Sequence, residues 1–153
     1  MKAIKKLGDA LVEKGLITSQ DLQEALREQA KTGEYLGKIL INSGLIKDKD
    51  LLMIISEQLN MPLVSMRNQY IDWPTAMKFT ASLIMDYKCL PYKMDNSGVT
   101  VAITNPFDAW ALSKVEEEAK GYKINFVLVT ESDMEDIVSR YKKYVGNSTL
   151  KQI

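Results

Sequence analysis

The chain has 153 residues, 46% of them hydrophobic, with 20 Lys plus Arg against 20 Asp plus Glu, a size for one ordinary domain or two small ones with modest cores. Balanced charge leaves no broad basic face for non-specific nucleic-acid binding, so neither DNA nor RNA is expected as a partner. Histidine is absent and Cys89 is the single cysteine, which excludes histidine triads, His-ligated zinc, cysteine clusters and an intramolecular disulfide.

The start, MKAIKKLGDALVEKG, is charged throughout rather than signal-like, and no apolar run reaches the ~18 residues of a membrane span. Together with the lone thiol this predicts a cytoplasmic setting. From Lys6 to Gln29 runs a 24-residue segment that returns from Tyr35 to Gln58 after the five-residue spacer Ala30–Glu34. The copies agree at Leu7/Leu36, Gly8/Gly37, Leu11/Leu40, Gly15/Gly44, Leu16/Leu45, Ile17/Ile46, Asp21/Asp50, Leu22/Leu51, Glu28/Glu57 and Gln29/Gln58.

Each copy reads as a helix pair. In the first, Leu7, Leu11 and Val12 recur at helical spacing up to Gly15, a residue suited to the left-handed position past a helix end. Thr18 with Asp21 resembles a capping box for a second helix that ends near Gly33. In the second copy Leu36, Ile39, Leu40 and Ile41 precede Gly44. Lys47 replaces the capping threonine, so Asp48 is expected to cap one residue later. Two such pairs should pack on one another, since neither buries its apolar face alone.

Pro62 ends the helical pattern. Leu63–Met66 is a short strand candidate, and a helix is expected after Pro74. Two strands around Asn96-Ser97-Gly98 read as a hairpin, a helix runs from Asp108 to about Gly121, Ile124–Thr130 is a strand, and a last helix is capped by Thr130 with Asp133. The fold class predicted is α+β: a helical tandem repeat over 1–60, a small sheet unit over 61–145 with helices on one face, and a loose polar tail over 146–153.

Catalytic chemistry has little support. No G-x-x-x-x-G-K-[ST] loop is present, so nucleotide hydrolysis is not assigned to this chain, and neither metal nor cofactor is expected. Glu116, Glu117 and Glu118 point in successive directions around a helix and read as a solvated face rather than a metal site. Cys89 lies in the apolar run YKCLPY and reads as a small buried hydrophobe.

The repeat offers more. Gly8 and Gly37 lie at helix starts, where a close backbone approach or a special dihedral would explain a locally unfavourable residue. Gln29 and Gln58 close each copy in the same register, and a glutamine amide both donates to and accepts from a base edge. Two stations of this kind suit a ligand with two similar halves. The leucines Leu11, Leu22, Leu40 and Leu51, taken alone, are better explained as core positions of a helical repeat.

The double motif, with its spacing and spacer, resembles the MshEN-type domain at the N-terminus of type II secretion and type IV pilus assembly ATPases, and the segment from LNMPLVSM to SRYKKY is similar to the α+β half of that domain. The resemblance implies binding of cyclic di-GMP, a twofold-symmetric dinucleotide, each motif holding one half. It implies ligand contacts at Lys6, Leu7, Gly8, Leu11, Leu22, Gln29, Tyr35, Leu36, Gly37, Leu40, Leu51, Gln58 and Asn105. Here Lys6 stands where the family usually has arginine, Tyr35 opens the second motif, Ile55 matches Leu26, and Asn105 precedes proline where some members carry an acid. The implied partners are a secretion or pilus ATPase core and inner-membrane platform proteins, through which the chain would sit at the inner membrane. A second function class is a protein-docking adaptor of the same machinery with weak or no nucleotide binding.

Overall fold

A computed structural model describes residues 6–151, and the chain divides into two compact units, one ending at Met61 and the other beginning at Pro62. The first, the repeat unit, holds α1 (Leu7–Glu13), α2 (Ser19–Thr32), α3 (Leu36–Asn42) and α4 (Asp48–Leu59). Helix α1 packs against α2 and α4, and α2 packs against α3.

Both short helices end alike. Gly15 and Gly44 have φ of +74° and +79°, and the N–H groups of Leu16 and Leu45 donate back to the carbonyls of Leu11 and Leu40 at 3.0 and 3.1 Å. This pairing, with Gly15 to Val12 and Gly44 to Ile41, satisfies the last carbonyls of each helix in a Schellman motif. The Thr18–Asp21 capping box forms, each backbone N–H donating to the other's side chain at 3.0 Å. In the second copy Asp48 is not the cap. It is the first helical residue and Lys47 takes the N-cap position without a side-chain bond, because the preceding turn and the buried Ile46 repeat the geometry around Ile17 and hold the helix start in the same register. Asp48 still lies in the first turn, where a carboxylate favours the helix dipole.

In the second, or sheet, unit the strand expected at Leu63–Met66 is a single parallel bridge, Leu63 to Leu128. The Met66 N–H donates to the Asp133 carboxylate at 3.0 Å instead of extending a ladder, and the chain turns into a 3-10 segment, Met66–Asn68. The helix expected after Pro74 is two, α5 (Trp73–Ala76) and α6 (Ala81–Met85). The break has a cause in α7 (Ala109–Ala119): the N–H and hydroxyl of Thr80 both donate to Glu118 at 2.7 Å, while that hydroxyl accepts from Leu83 N–H at 3.3 Å and caps α6. Glu118, read from sequence as solvated, thus joins two helices with its side chain only 11% exposed.

The sheet has the order β1 (Cys89–Asp95), β2 (Gly98–Ile103), β3 (Ile124–Leu128), antiparallel then parallel. A bulge at Tyr92 leaves its carbonyl to accept from Asp72 N–H at 2.9 Å. Ala102 and Val127 pack with Met134, Ile137, Val138 and Tyr141 of α8 (Glu131–Lys151). Val99, Val101 and Ile103, which alternate with Ala102, are buried too, so β2 is covered on both faces rather than one. The polar residues from Gly146, expected as a loose tail, continue α8 to Lys151. Tyr144, just before them, stacks on Trp73 with centroids 5.3 Å apart.

Cys89 is buried and its thiol donates to the Tyr87 carbonyl at 3.4 Å. Burial, with the Asp108 carboxylate adding to it, pushes its pKa from 9.0 up to about 12, and burial raises Tyr92 and Tyr141 as well. The folded state therefore favours the protonated forms. The Cys89 contribution is complete below pH 9.0, where the thiol is protonated folded or unfolded, and is lost as pH climbs towards about 12. The melting temperature of the sheet unit should fall above pH 9.0, and Cys89→Ala should make that fall shallower. An identical pH profile for the variant would contradict this account.

Candidate functional site

Both motifs begin with an exposed residue at an N-cap. Lys6 has φ −60° and ψ 143°, Tyr35 has φ −62° and ψ 137°, and neither side chain caps its helix. The backbone is thus delivered identically at two places 29 residues apart, while the side chain delivered differs, an ammonium in one and a phenol in the other.

The next two residues, Leu-Gly, explain the glycines. Gly8 and Gly37 are buried, and neither has a positive φ. A Cβ on Gly8 would lie 2.5 Å from a terminal methyl of Leu22, and one on Gly37 would lie 2.5 Å from a terminal methyl of Leu51. Close approach, not a special dihedral, is the reason for glycine. Each motif's own second helix leans a leucine onto the first turn of its first helix, and the seat is built twice with the same geometry.

The remaining positions divide by depth. Leu11 and Leu40 are 0% exposed and form the centre of the unit, Leu51 is buried, and Leu7, Leu22 and Leu36 are half-buried. Gln29 is half-buried and its amide donates to the Glu34 carbonyl at 3.2 Å. Gln58 is half-buried at the matching place on α4. Asn105 belongs to the sheet unit, in the connection between β2 and α7, where its side-chain oxygen accepts from Phe107 N–H at 2.9 Å and shapes the turn over Pro106.

Glu34, which sequence reasoning passed over, ties the second motif together. Its carbonyl receives Gln29, one carboxylate oxygen accepts from Tyr35 N–H at 3.1 Å, and the other lies 3.5 Å from the Lys38 ammonium. The Glu34–Lys38 spacing of four residues was the available signal, but a spacer residue joins no motif until the chain folds. Among the described residues no helix is long and apolar enough to cross a membrane.

Several known proteins are similar to this chain. The MshEN domain family model matches residues 59–147, more than half of the chain and chiefly the sheet unit. The type IV pilus assembly ATPase PilB of Thermus thermophilus is 30% identical over 115 residues, 74% of this chain and 13% of that protein. PilB of Myxococcus xanthus is 26% identical over 144 residues, 94% of this chain and 25% of that protein. The chain therefore spans between about an eighth and a quarter of the length of the curated relatives it matches. Among solved structures, MshE with cdg is similar with a TM-score of 0.82 and 27% identity over 90% of this chain and 99% of that one. The N-terminal domain of XpsE shares the fold, with a TM-score of 0.69 and 19% identity over 92% of this chain and 99% of that one. The MshE and Myxococcus alignments are long enough to include most of the repeat unit as well as the sheet unit.

Proposed function

Because this chain belongs to the MshEN domain family, we propose that it is a regulatory domain of a type II secretion or type IV pilus assembly ATPase system and that its repeat unit binds cyclic di-GMP. The observation that carries the proposal is the duplicated seat, Gly8 under Leu22 and Gly37 under Leu51, each beside an exposed motif-opening residue. Two equivalent stations match a ligand made of two identical halves. The similar MshE structure, with cdg, gives the ligand class its support. In this reading Lys6 supplies a point charge to phosphate or guanine without the planar fork of an arginine, and Leu7 and Leu36 supply apolar contact beside the seats.

The domain acts by binding and not by hydrolysis, and its partners are an ATPase core and inner-membrane platform proteins, met at the cytoplasmic side of the membrane. A protein-docking adaptor with weak or no nucleotide binding is the competing reading. It is favoured by the exposed Leu16, Leu26, Leu45 and Met53, apolar area on the repeat unit that a protein partner would cover.

Calorimetric titration separates the two. Cyclic di-GMP should bind one per chain, with GTP and ATP failing to compete. Two independent ligands per chain would refute the split site, and no binding at all would leave the adaptor.

A further inference from the structure

We infer that the outer edge of β3 is a docking site for an extended, acidic segment of a partner protein, which adds to the sheet beside Ile124–Phe126. In the parallel β2–β3 pairing the Val99 N–H donates to the Lys123 carbonyl at 2.8 Å and the Val129 N–H to the Ile103 carbonyl at 3.0 Å, so Lys123, Asn125, Val127 and Val129 turn their backbone groups towards β2. Ile124, Phe126 and Leu128 turn theirs the other way. Leu128 is served there: its N–H donates to the Pro62 carbonyl at 2.7 Å and its carbonyl accepts from the Val64 N–H at 2.9 Å. Among the described residues, the N–H and carbonyl of Ile124 and of Phe126 have no hydrogen-bond partner.

The segment that pairs with Leu128 does not reach further along this edge. To continue the bridge, position 62 would have to donate an N–H to the Phe126 carbonyl, and proline has none. Before it the Met61 N–H returns to the Ser56 carbonyl at 3.1 Å and Asn60 takes φ of +51°, so strand geometry begins only at Pro62. Free N–H and carbonyl groups alternating at strand spacing fit another extended polypeptide, an alternation that neither a nucleic acid nor a lipid surface presents. Charge narrows the occupant. Lys120 and Lys123, exposed on the approach to β3, are in no ion pair among the described residues, so carboxylates suit the segment that lies alongside them. A second copy of the chain fits less well, because the β3 edge it would offer is occupied at Leu128 and carries the same lysines.

The test uses the full chain, amide exchange followed residue by residue, and synthetic peptides that alternate Val with Glu or Val with Lys. In the free chain the N–H groups of Ile124 and Phe126 should exchange about tenfold or more faster than those of Asn125 and Val127. The Glu peptide should slow both, the Lys peptide should bind about tenfold more weakly, and Lys123→Glu should shrink that preference. Methylating a peptide nitrogen that faces the edge should cost about tenfold in affinity, the loss of one hydrogen bond. Ile124→Pro and Phe126→Pro each remove an outward donor and no ladder bond, so Val127 should stay protected while peptide affinity falls. Should both variants unfold, the methylated peptide still decides. Protection of Ile124 and Phe126 in the free chain, equal binding of methylated and parent peptides, equal binding of the Lys and Glu peptides, or no binding of the Glu peptide each overturns the proposal. Protection that grows with chain concentration in the absence of peptide gives the edge to a second copy and overturns it as well.

Discussion

Gly98→Ala should destabilise the sheet unit by about 3–5 kcal/mol, the range of the most damaging single substitutions. Gly98 has φ of +118°, where side-chain-bearing L residues are strained, and a Cβ there would fall 2.2 Å from the Lys123 carbonyl oxygen and 2.9 Å from its carbonyl carbon. That oxygen accepts from Val99 N–H at 2.8 Å, at the head of the β2–β3 pairing, so it cannot retreat without unpicking the ladder. Gly8→Ala is the contrast. There the obstructing atom is the tip of Leu22, which can turn at the cost of looser packing, about 1–2 kcal/mol. Urea unfolding followed through Trp73, packed on Tyr144 in the sheet unit, measures the first; helical circular dichroism follows the second. Equal costs for the two would refute the distinction between a backbone obstacle and a side-chain one.

Leu40→Ala and Leu11→Ala should each cost the repeat unit about 2–5 kcal/mol, the usual range for a leucine truncated in a packed core. Both are 0% exposed and both anchor the carbonyl that receives the Schellman bond of the following leucine. Leu45→Ala, at a residue 41% exposed, should cost less than about 1 kcal/mol. A unit of about 60 residues has little stability to lose, so either core variant should also abolish the cyclic di-GMP binding proposed for it. Amide exchange in α1 and α3 is the measurement: protection retained in Leu40→Ala but lost in Leu45→Ala would reverse the assignment of core and surface.

The repeat's helices were legible because their information is local. Apolar spacing, the Thr18–Asp21 box and glycines at Gly15, Gly33 and Gly44 act within a turn or two of the chain, and those residues adopt the conformations their chemistry prefers. The hairpin was legible for the same reason: a Ser97 hydroxyl and N–H donating to Asp95 need only neighbours in sequence. The duplication itself is a property of sequence alone, and it named the glycines, leucines and glutamines before any fold was known.

Other features depended on residues far apart in the chain. Asp133 takes the N–H of Met66 and turns a prospective strand into a 3-10 segment, and Glu118 takes Thr80 and divides one prospective helix into two. No local pattern announces such pairs, because a carboxylate's preference for an unpaired N–H is the same wherever the fold places one. The reason for glycine at positions 8 and 37 was likewise decided by Leu22 and Leu51 arriving on them from the next helix. Sequence by itself determined that one helix pair would be written twice; only tertiary packing decided which residues of the two copies are buried as scaffold and which, like Lys6 and Tyr35, are left outside it, since burial is set by what comes to lie on top of a residue.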